Sequence, residues 1–261
     1  VISPFVGSDV PAADLRRMIN EAYATFGHAA VVPLNQLDAN LWLLELFHGP
    51  TLAFKDVAMQ LLAQLIDYAL AKRDARATII CATSGDTGAA AAEAFRASTR
   101  AQTVILHPNG RVSNVQRRQM TTVASPVVHN LAIEGNFDDC QSIVKALFRD
   151  AGFRDKVHLS GVNSINWARI VAQAVYYVTA AVALGAPERS VSFCVPTGNF
   201  GDIFAGLVAK RMGVPIDRLV IATNVNDILD RALKSGRYEV QSVTASSSPS
   251  MDIQVSSNFE R

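Results

Sequence analysis

One lysine stands apart from the other five in this sequence. Lys55 lies in the stretch His48-Gly49-Pro50-Thr51-Leu52-Ala53-Phe54-Lys55-Asp56, where a Gly-Pro turn delivers it to the start of an apolar-periodic segment. Val57, Ala58, Leu61, Leu62 and Leu65 follow as a hydrophobic face. Such surroundings disfavour an ammonium ion, and a neutral amine is a nucleophile for carbonyl carbon. Lys72, Lys145, Lys156, Lys210 and Lys234 instead fit helix faces or helix ends. The ordinary alternative for Lys55 is a lysine at a helix start, paired with its neighbour Asp56.

Two glycine-bearing turns downstream look built to receive anions, and a third polar run opens another helix. Ile79–Gly88 reads as a strand, the tight turn Ser84-Gly85-Asp86-Thr87-Gly88, then an alanine-rich helix. Backbone N–H groups at such a helix start lack intrahelical partners and carry partial positive charge, so they suit a carboxylate or a phosphate. Ser84 and Thr87 add hydroxyl donors, although Ser84, Asp86 or Thr87 could equally cap the helix. Thr197-Gly198-Asn199-Phe200-Gly201-Asp202 repeats the strand–turn–helix logic, its two glycines permitting a nest of consecutive N–H groups. Asp202 suits the helix dipole there, and another capped turn is the alternative. In Gly161–Arg169, Asn163, Ser164, Asn166 and Arg169 crowd a further helix start, and Arg169 offers the bidentate fork that binds phosphate. Capping with a surface arginine would explain the same run. An amine nucleophile accompanied by two anion cradles suggests pyridoxal 5'-phosphate, which needs a Schiff-base lysine and a phosphate site.

Other chemistries fit less well. No Gly-Lys-Ser/Thr follows the Ser84 turn, neither turn completes Gly-x-Gly-x-x-Gly, and there is no Gly-x-Ser-x-Gly elbow. The five histidines show no metal-ligand spacing, so no metal is expected. With 24 basic against 23 acidic residues and no block of like charge, nucleic-acid binding is disfavoured. No apolar run is long enough to cross a bilayer. Cys81, Cys140 and Cys194 suit neither a disulfide framework nor a metal site, which points to a reducing, cytoplasmic setting.

The elements that must position these residues alternate. Strands are predicted at Leu41–Phe47, Thr78–Cys81, Thr103–Leu106, Val127–Ile133, Val191–Val195 and Leu219–Thr223. Between them, helices are predicted at Phe54–Lys72, Thr87–Ala97, Asn114–Thr122, Asp138–Asp150, Ile165–Leu184, Ile203–Met212 and Asp227–Lys234. Short buried strands separated by helices imply parallel pairing, hence α/β layers. Trp42, Phe47 and Phe54 are expected in a core, and the serine-rich stretch Thr244–Ser250 as an exposed loop. The first residue is Val1 and the chain stops at Arg261 without a terminating signal, so a fragment truncated at both ends is expected.

Taken together, His48–Asp56, Ala82–Gly88, Ile105–Arg111, Asn163–Arg169, Pro196–Asp202, Ala222–Asp227 and Met251–Arg261 resemble the threonine synthase family, within fold type II of the pyridoxal-phosphate enzymes. That resemblance implies two three-layer α/β domains. Residues 1–53 and 164–261 would belong to the larger, and residues 54–163 to the smaller, carrying the Ser84–Gly88 loop. It implies conversion of O-phospho-L-homoserine and water to L-threonine and phosphate, with Lys55 as Schiff-base lysine and base. Gly198, Asn199, Phe200, Gly201 and Asp202 would surround the cofactor phosphate, and Asp86 would border the cofactor ring. Ser84, Gly85, Thr87, Gly88, Asn163 and Arg169 would face the substrate. The hydroxyl residue that meets the pyridine nitrogen would lie outside this sequence. A phospholyase or dehydratase on a related amino acid, or a non-catalytic binding relative, are the alternatives.

Overall fold

A computed structural model describes all of residues 1–261, and these divide into two compact units. One comprises Ser8–Asn166; the other joins Val1–Gly7, with its short helix α1 (Ser3–Val6), to Trp167–Arg261.

The first unit is built on parallel pairing, as short strands joined by helices require. After helix α2 (Ala12–Tyr23) and an antiparallel hairpin, β1 (Leu34–Asp38) and β2 (Leu41–Leu44), helix α3 (Lys55–Lys72) leads into four crossover strands. These are β3 (Ala77–Ala82), β4 (Ala101–Pro108), β5 (Val128–Ile133) and β6 (Leu159–Gly161), and the sheet order is β5-β4-β3-β6 with every pair parallel. Successive residues of a strand face opposite sides, and β4 shows what each side meets. Ile105 packs with Ala89, Ala92 and Met120 of helices α4 (Asp86–Phe95) and α5 (Asn114–Thr121). Leu106, beside it, packs with Cys140 and Val144 of α6 (Phe137–Arg149). The sheet is therefore covered on both faces, which is why its strands read as near-continuous apolar runs. Short helix α7 (Ala151–Lys156) carries the chain to β6.

The alanines of α4 let that helix lie close to the sheet. Ala89, Ala90, Ala91 and Ala92 are all fully buried. A Cβ on Gly88 would stand 2.5 Å from Thr83 Cγ2 and 2.6 Å from Met120 Sδ, so only glycine fits that approach.

In the second unit, α8 (Trp167–Ala183) packs on α9 (Gly201–Arg211), which connects the parallel strands β7 (Val191–Pro196) and β8 (Ile216–Ala222). Helix α10 (Ile228–Ser235) follows, then a long C-terminal segment with little regular structure. Side-chain hydrogen bonds order that segment. Asp252 accepts from Ser246 N (2.8 Å), Ser246 Oγ (2.7 Å), Asn224 Nδ2 (2.7 Å) and Asn226 Nδ2 (3.0 Å). The serine-rich stretch is thus mostly exposed, as expected, yet tied down.

Each predicted helix and strand is present, with ends shifted by a few residues. The largest shifts are of three residues: the first predicted strand ends at Leu44 rather than Phe47, and the last begins at Ile216 rather than Leu219. Glu45 and His48 instead pair at 2.7 Å, and Phe47 is exposed and stacked on His48, not in a core. Helices α1, α2 and α7 and strands β1 and β6 are not among the predicted elements. Strand β1 is polar and largely exposed, and β6 is only three residues long, so neither carries a periodic apolar signal.

Asp56 is a buried charge whose energetics can be read out. It has no solvent exposure and accepts from Thr51 N (2.8 Å) and Thr51 Oγ1 (2.7 Å). Burial pushes its pKa above the ordinary 3.8, and the Thr51 hydrogen bonds only partly oppose this. The unfolded chain releases this proton near 3.8, whereas the folded chain keeps it to higher pH, so Asp56 makes folding less favourable as pH rises through that window. The stability difference between Asp56→Asn and the natural protein should therefore move in favour of Asn as pH rises from below 3.8 through the raised pKa. Urea midpoints at a series of pH values check this, since groups common to both proteins cancel; a flat difference would refute it. Asp56→Ala strands both Thr51 donors and should cost about 2 kcal/mol.

Candidate active site

Lys55 is the first residue of α3, and the turn before it is held by residues other than the lysine. Gly49 is obligatory because a Cβ there would lie 2.4 Å from Asp56 Cβ. Leu52 takes a left-handed φ of 61°, and Gln119 Nε2 donates to Thr51 O at 2.8 Å. Asp56 is committed to Thr51, so it is not the partner of Lys55. Lys55 Nζ instead reaches Asp86 Oδ2 at 3.1 Å and lies 4.6 Å from the centroid of the Phe54 ring. The two charged side chains are only 12% and 22% exposed.

Asp86 is fixed from its other side. Gln116 Nε2 donates to Asp86 Oδ1 at 2.5 Å, and Ser113 Oγ donates to Gln116 Oε1 at 2.8 Å. Gln116 is buried, and the space it occupies is the space a side chain at Gly85 would fill: a Cβ there would lie 2.3 Å from Gln116 Cδ. Gly85 also has φ +143°, in the region that disfavours side chains.

The Ser84–Gly88 turn is capped by none of the residues proposed for it. Gly85 is the N-cap and makes no side-chain cap bond. Thr83 Oγ1 accepts from both Gly85 N and Gly88 N, each at 2.9 Å. The backbone N–H and hydroxyl groups of Ser84 and Thr87 make no hydrogen bond within the chain, which is what an anion receiver at a helix start requires. The strand order reverses between β3 and β6, and ligands of open α/β sheets bind outside the carboxyl ends of strands at such a point. The Ser84 turn follows β3, and Asn163, which is exposed, follows β6.

The second turn belongs to the other unit. Asp202, the second residue of α9, is buried and accepts from Thr197 Oγ1 and from Ile203 N (2.9 Å). Tyr177 Oη donates to Asp202 O at 2.9 Å, and burial pushes both Tyr176 and Tyr177 well above their ordinary pKa. Phe200 takes the left-handed conformation (φ 66°, ψ 0°), and the N–H groups of Gly198, Asn199, Phe200 and Gly201 have no partner within the chain. Consecutive free N–H groups around a left-handed residue form an anion nest. Arg169 lies in α8, buried, with its charge near enough to Tyr176 to oppose that rise. Asn163 and Arg169, read together in the sequence, thus fall in different units.

Sequence reasoning missed Thr51, Thr83, Thr197, Gln116 and Asn258. The threonines share a spacing: each lies five residues before Asp56, Gly88 or Asp202, its partner in the turn. Ser113-x-x-Gln116 is a capping-box pattern and could have flagged a helix start, though Gln116 turns to Asp86 instead.

Pyridoxal phosphate requires an amine for its aldehyde and N–H donors for its phosphate. The donor set fits: a little-exposed lysine amine, and four consecutive N–H groups unused by the fold. Residues 25–260 match the family described as pyridoxal-phosphate dependent enzyme, and the chain belongs to that family. Its cofactor is pyridoxal phosphate. Among individual relatives, the chain is 59% identical over its whole length to threonine synthase of Pseudomonas aeruginosa and covers 56% of it. It is 50% identical to threonine synthase of Saccharomyces cerevisiae, with 97% of this chain and 52% of that protein aligned. A crystal structure of PLP-bound threonine synthase from Brucella melitensis superposes with TM-score 0.94 at 66% identity, covering 100% of this chain and 56% of that one. Threonine synthase from Escherichia coli follows the same fold, with TM-score 0.87, 38% identity, and 99% and 59% covered. The architecture is that of fold type II, and the chain spans about half the length of the relatives it matches.

Gly85 tests how Asp86 is held. Gly85→Ala should lower stability by at least about 2 kcal/mol, through backbone strain and the collision with Gln116. In Gly85→Ala/Gln116→Ala the collision disappears and the strain persists. Denaturant midpoints of the four proteins in this cycle should show a coupling of about 1 kcal/mol; simple additivity would contradict the packing described.

Proposed function

We propose that the protein containing this chain is a threonine synthase, a carbon–oxygen lyase that converts O-phospho-L-homoserine and water to L-threonine and inorganic phosphate. The observation that carries this reading is Lys55, little exposed and held by Asp86, within a chain 59% identical throughout to a threonine synthase. Bound pyridoxal phosphate supplies an electron sink for carbanion chemistry.

Lys55 is the Schiff-base lysine. With the cofactor bound, the Lys55 amine would be the base that takes the substrate Cα proton and one Cβ proton and returns a proton toward Cγ, as phosphate leaves Cγ and water adds at Cβ. Asp86 steers the lysine between these positions while bordering the cofactor ring. Gly198, Asn199, Phe200 and Gly201 present N–H groups to the cofactor phosphate, and Asp202 keeps their turn in shape. Ser84, Gly85, Thr87 and Gly88 form the loop for the substrate carboxylate, and Asn163 and Arg169 are assigned to substrate as well.

In the full-length protein we assign residues 1–53 and 164–261 to the larger domain and 54–163 to the smaller. A cytoplasmic location is supported by three cysteines that form no disulfide, two of them buried. No helix is long and apolar enough to cross a membrane.

The test uses the full-length protein. Borohydride treatment of the pyridoxal-phosphate-loaded form, followed by peptide mass spectrometry, should place the reduced cofactor on Lys55. Lys55→Ala should lose that adduct and at least about a thousandfold of the turnover. O-phospho-L-homoserine should yield threonine and phosphate in equal amounts, and O-phospho-L-threonine should yield none. An adduct on another lysine would overturn the Lys55 role, and a different product would overturn the reaction.

A further inference from the structure

Asn258 makes no contact that the chemistry above uses, yet it is fully buried and bound to the phosphate turn. Its backbone N–H donates to Asn199 O at 3.2 Å and its side-chain Nδ2 donates to the same oxygen at 3.1 Å. Ser257 Oγ donates to Asn199 Oδ1 at 3.3 Å. The Phe259 ring meets Phe200 edge-on, with centroids 5.6 Å apart, and rests against Tyr238, whose hydroxyl accepts from Ser256 N at 2.7 Å. A segment 59 residues away in sequence thus grips both residues at the tip of the turn.

The doubled bond to one carbonyl has a directional consequence. Asn199 C=O and Phe200 N–H belong to the same planar trans peptide, so they point in opposite directions. Two donors pinning the oxygen therefore fix where the Phe200 N–H points. That N–H has no partner within the chain, and its residue sits in the left-handed conformation that a flexible turn would readily leave. We propose that Asn258 is a positioning residue for cofactor phosphate: it locks the Asn199–Phe200 peptide so that the Phe200 N–H is aimed at the anion before the anion arrives. Preorganisation of this kind raises affinity by removing an ordering cost.

This rests on the assignment of Gly198–Gly201 to the cofactor phosphate, and the experiment separates the two. Affinities of full-length apoprotein for pyridoxal phosphate and for pyridoxal are measured in the natural protein and in Asn258→Ala, with apoprotein melting as a control. The natural protein should prefer the phosphorylated form strongly. Asn258→Ala keeps the backbone donor and loses the side-chain one, so that preference should fall about tenfold while pyridoxal affinity is unchanged. A preference that survives Asn258→Ala intact overturns the positioning role alone, as does equal weakening of both ligands, which marks a general structural role. A natural protein without any preference overturns the phosphate assignment and this inference with it. Should Asn258→Ala fail to fold, amide NMR of the natural protein with inorganic phosphate decides. The Phe200 amide proton must move downfield, and an unmoved signal overturns the proposal.

Discussion

A helix start can hold an anion only if its N–H groups are left unspent, and an unspent turn has nothing intrinsic to keep its shape. That tension governs the construction of this protein. At three junctions the fold answers it in one way: a buried threonine hydroxyl bonds across the turn to a residue five positions on. Thr51 and Thr197 bond to the carboxylates of Asp56 and Asp202, and Thr83 accepts from Gly88 N. Each turn is thereby ordered from beneath. Ser84, Thr87 and the backbone from Gly198 to Gly201 keep their donors.

The arrangement costs stability where it buries charge. An ionised carboxylate without solvent exposure is tolerated only through its hydrogen bonds, and at Asp56 those bonds come from Thr51 alone among side chains. The return is chemical. With Asp56 bound inward, the lysine beside it is free to reach across to Asp86. A lysine paired with its immediate neighbour would have been an ordinary surface feature. Paired at a strand-order reversal with a residue whose other oxygen is held by Gln116, it is a little-exposed amine kept in place.

The α/β layering was legible in the sequence because it rests on strand and helix periodicity. Six strands and seven helices could be placed from apolar runs and their breaks. The motifs at Lys55, Ser84 and Gly198 were legible too, because glycine, lysine and hydroxyl residues cluster there against apolar flanks. Strand β1 escaped since Leu34-Asn35-Gln36-Leu37-Asp38 is exposed along most of its length and shows no buried face. The roles inside the motifs escaped for a different reason. Whether Ser84 or Thr83 caps a turn depends on side-chain direction, and nothing in residue type alone separates the two. Gln116 and Asn258 were beyond reach, being separated from Asp86 and Asn199 by 30 and 59 residues.

That separation follows from how contacts of different range are ordered. A bond spanning five residues forms almost as soon as its turn does, so one hydroxyl suffices and the pattern can be written locally. Bringing together groups 30 to 60 residues apart carries a larger loop-closure cost. In this protein such long-range ties are correspondingly reinforced. Lys55 and Asp86 meet as opposite charges with Gln116 behind them, and Asn258 places two donors on one oxygen with aromatic packing beside it. Local ties shape each anion turn; long-range ties aim it. A substitution in the first set should therefore act mainly on folding, and one in the second on ligand affinity at little cost in stability.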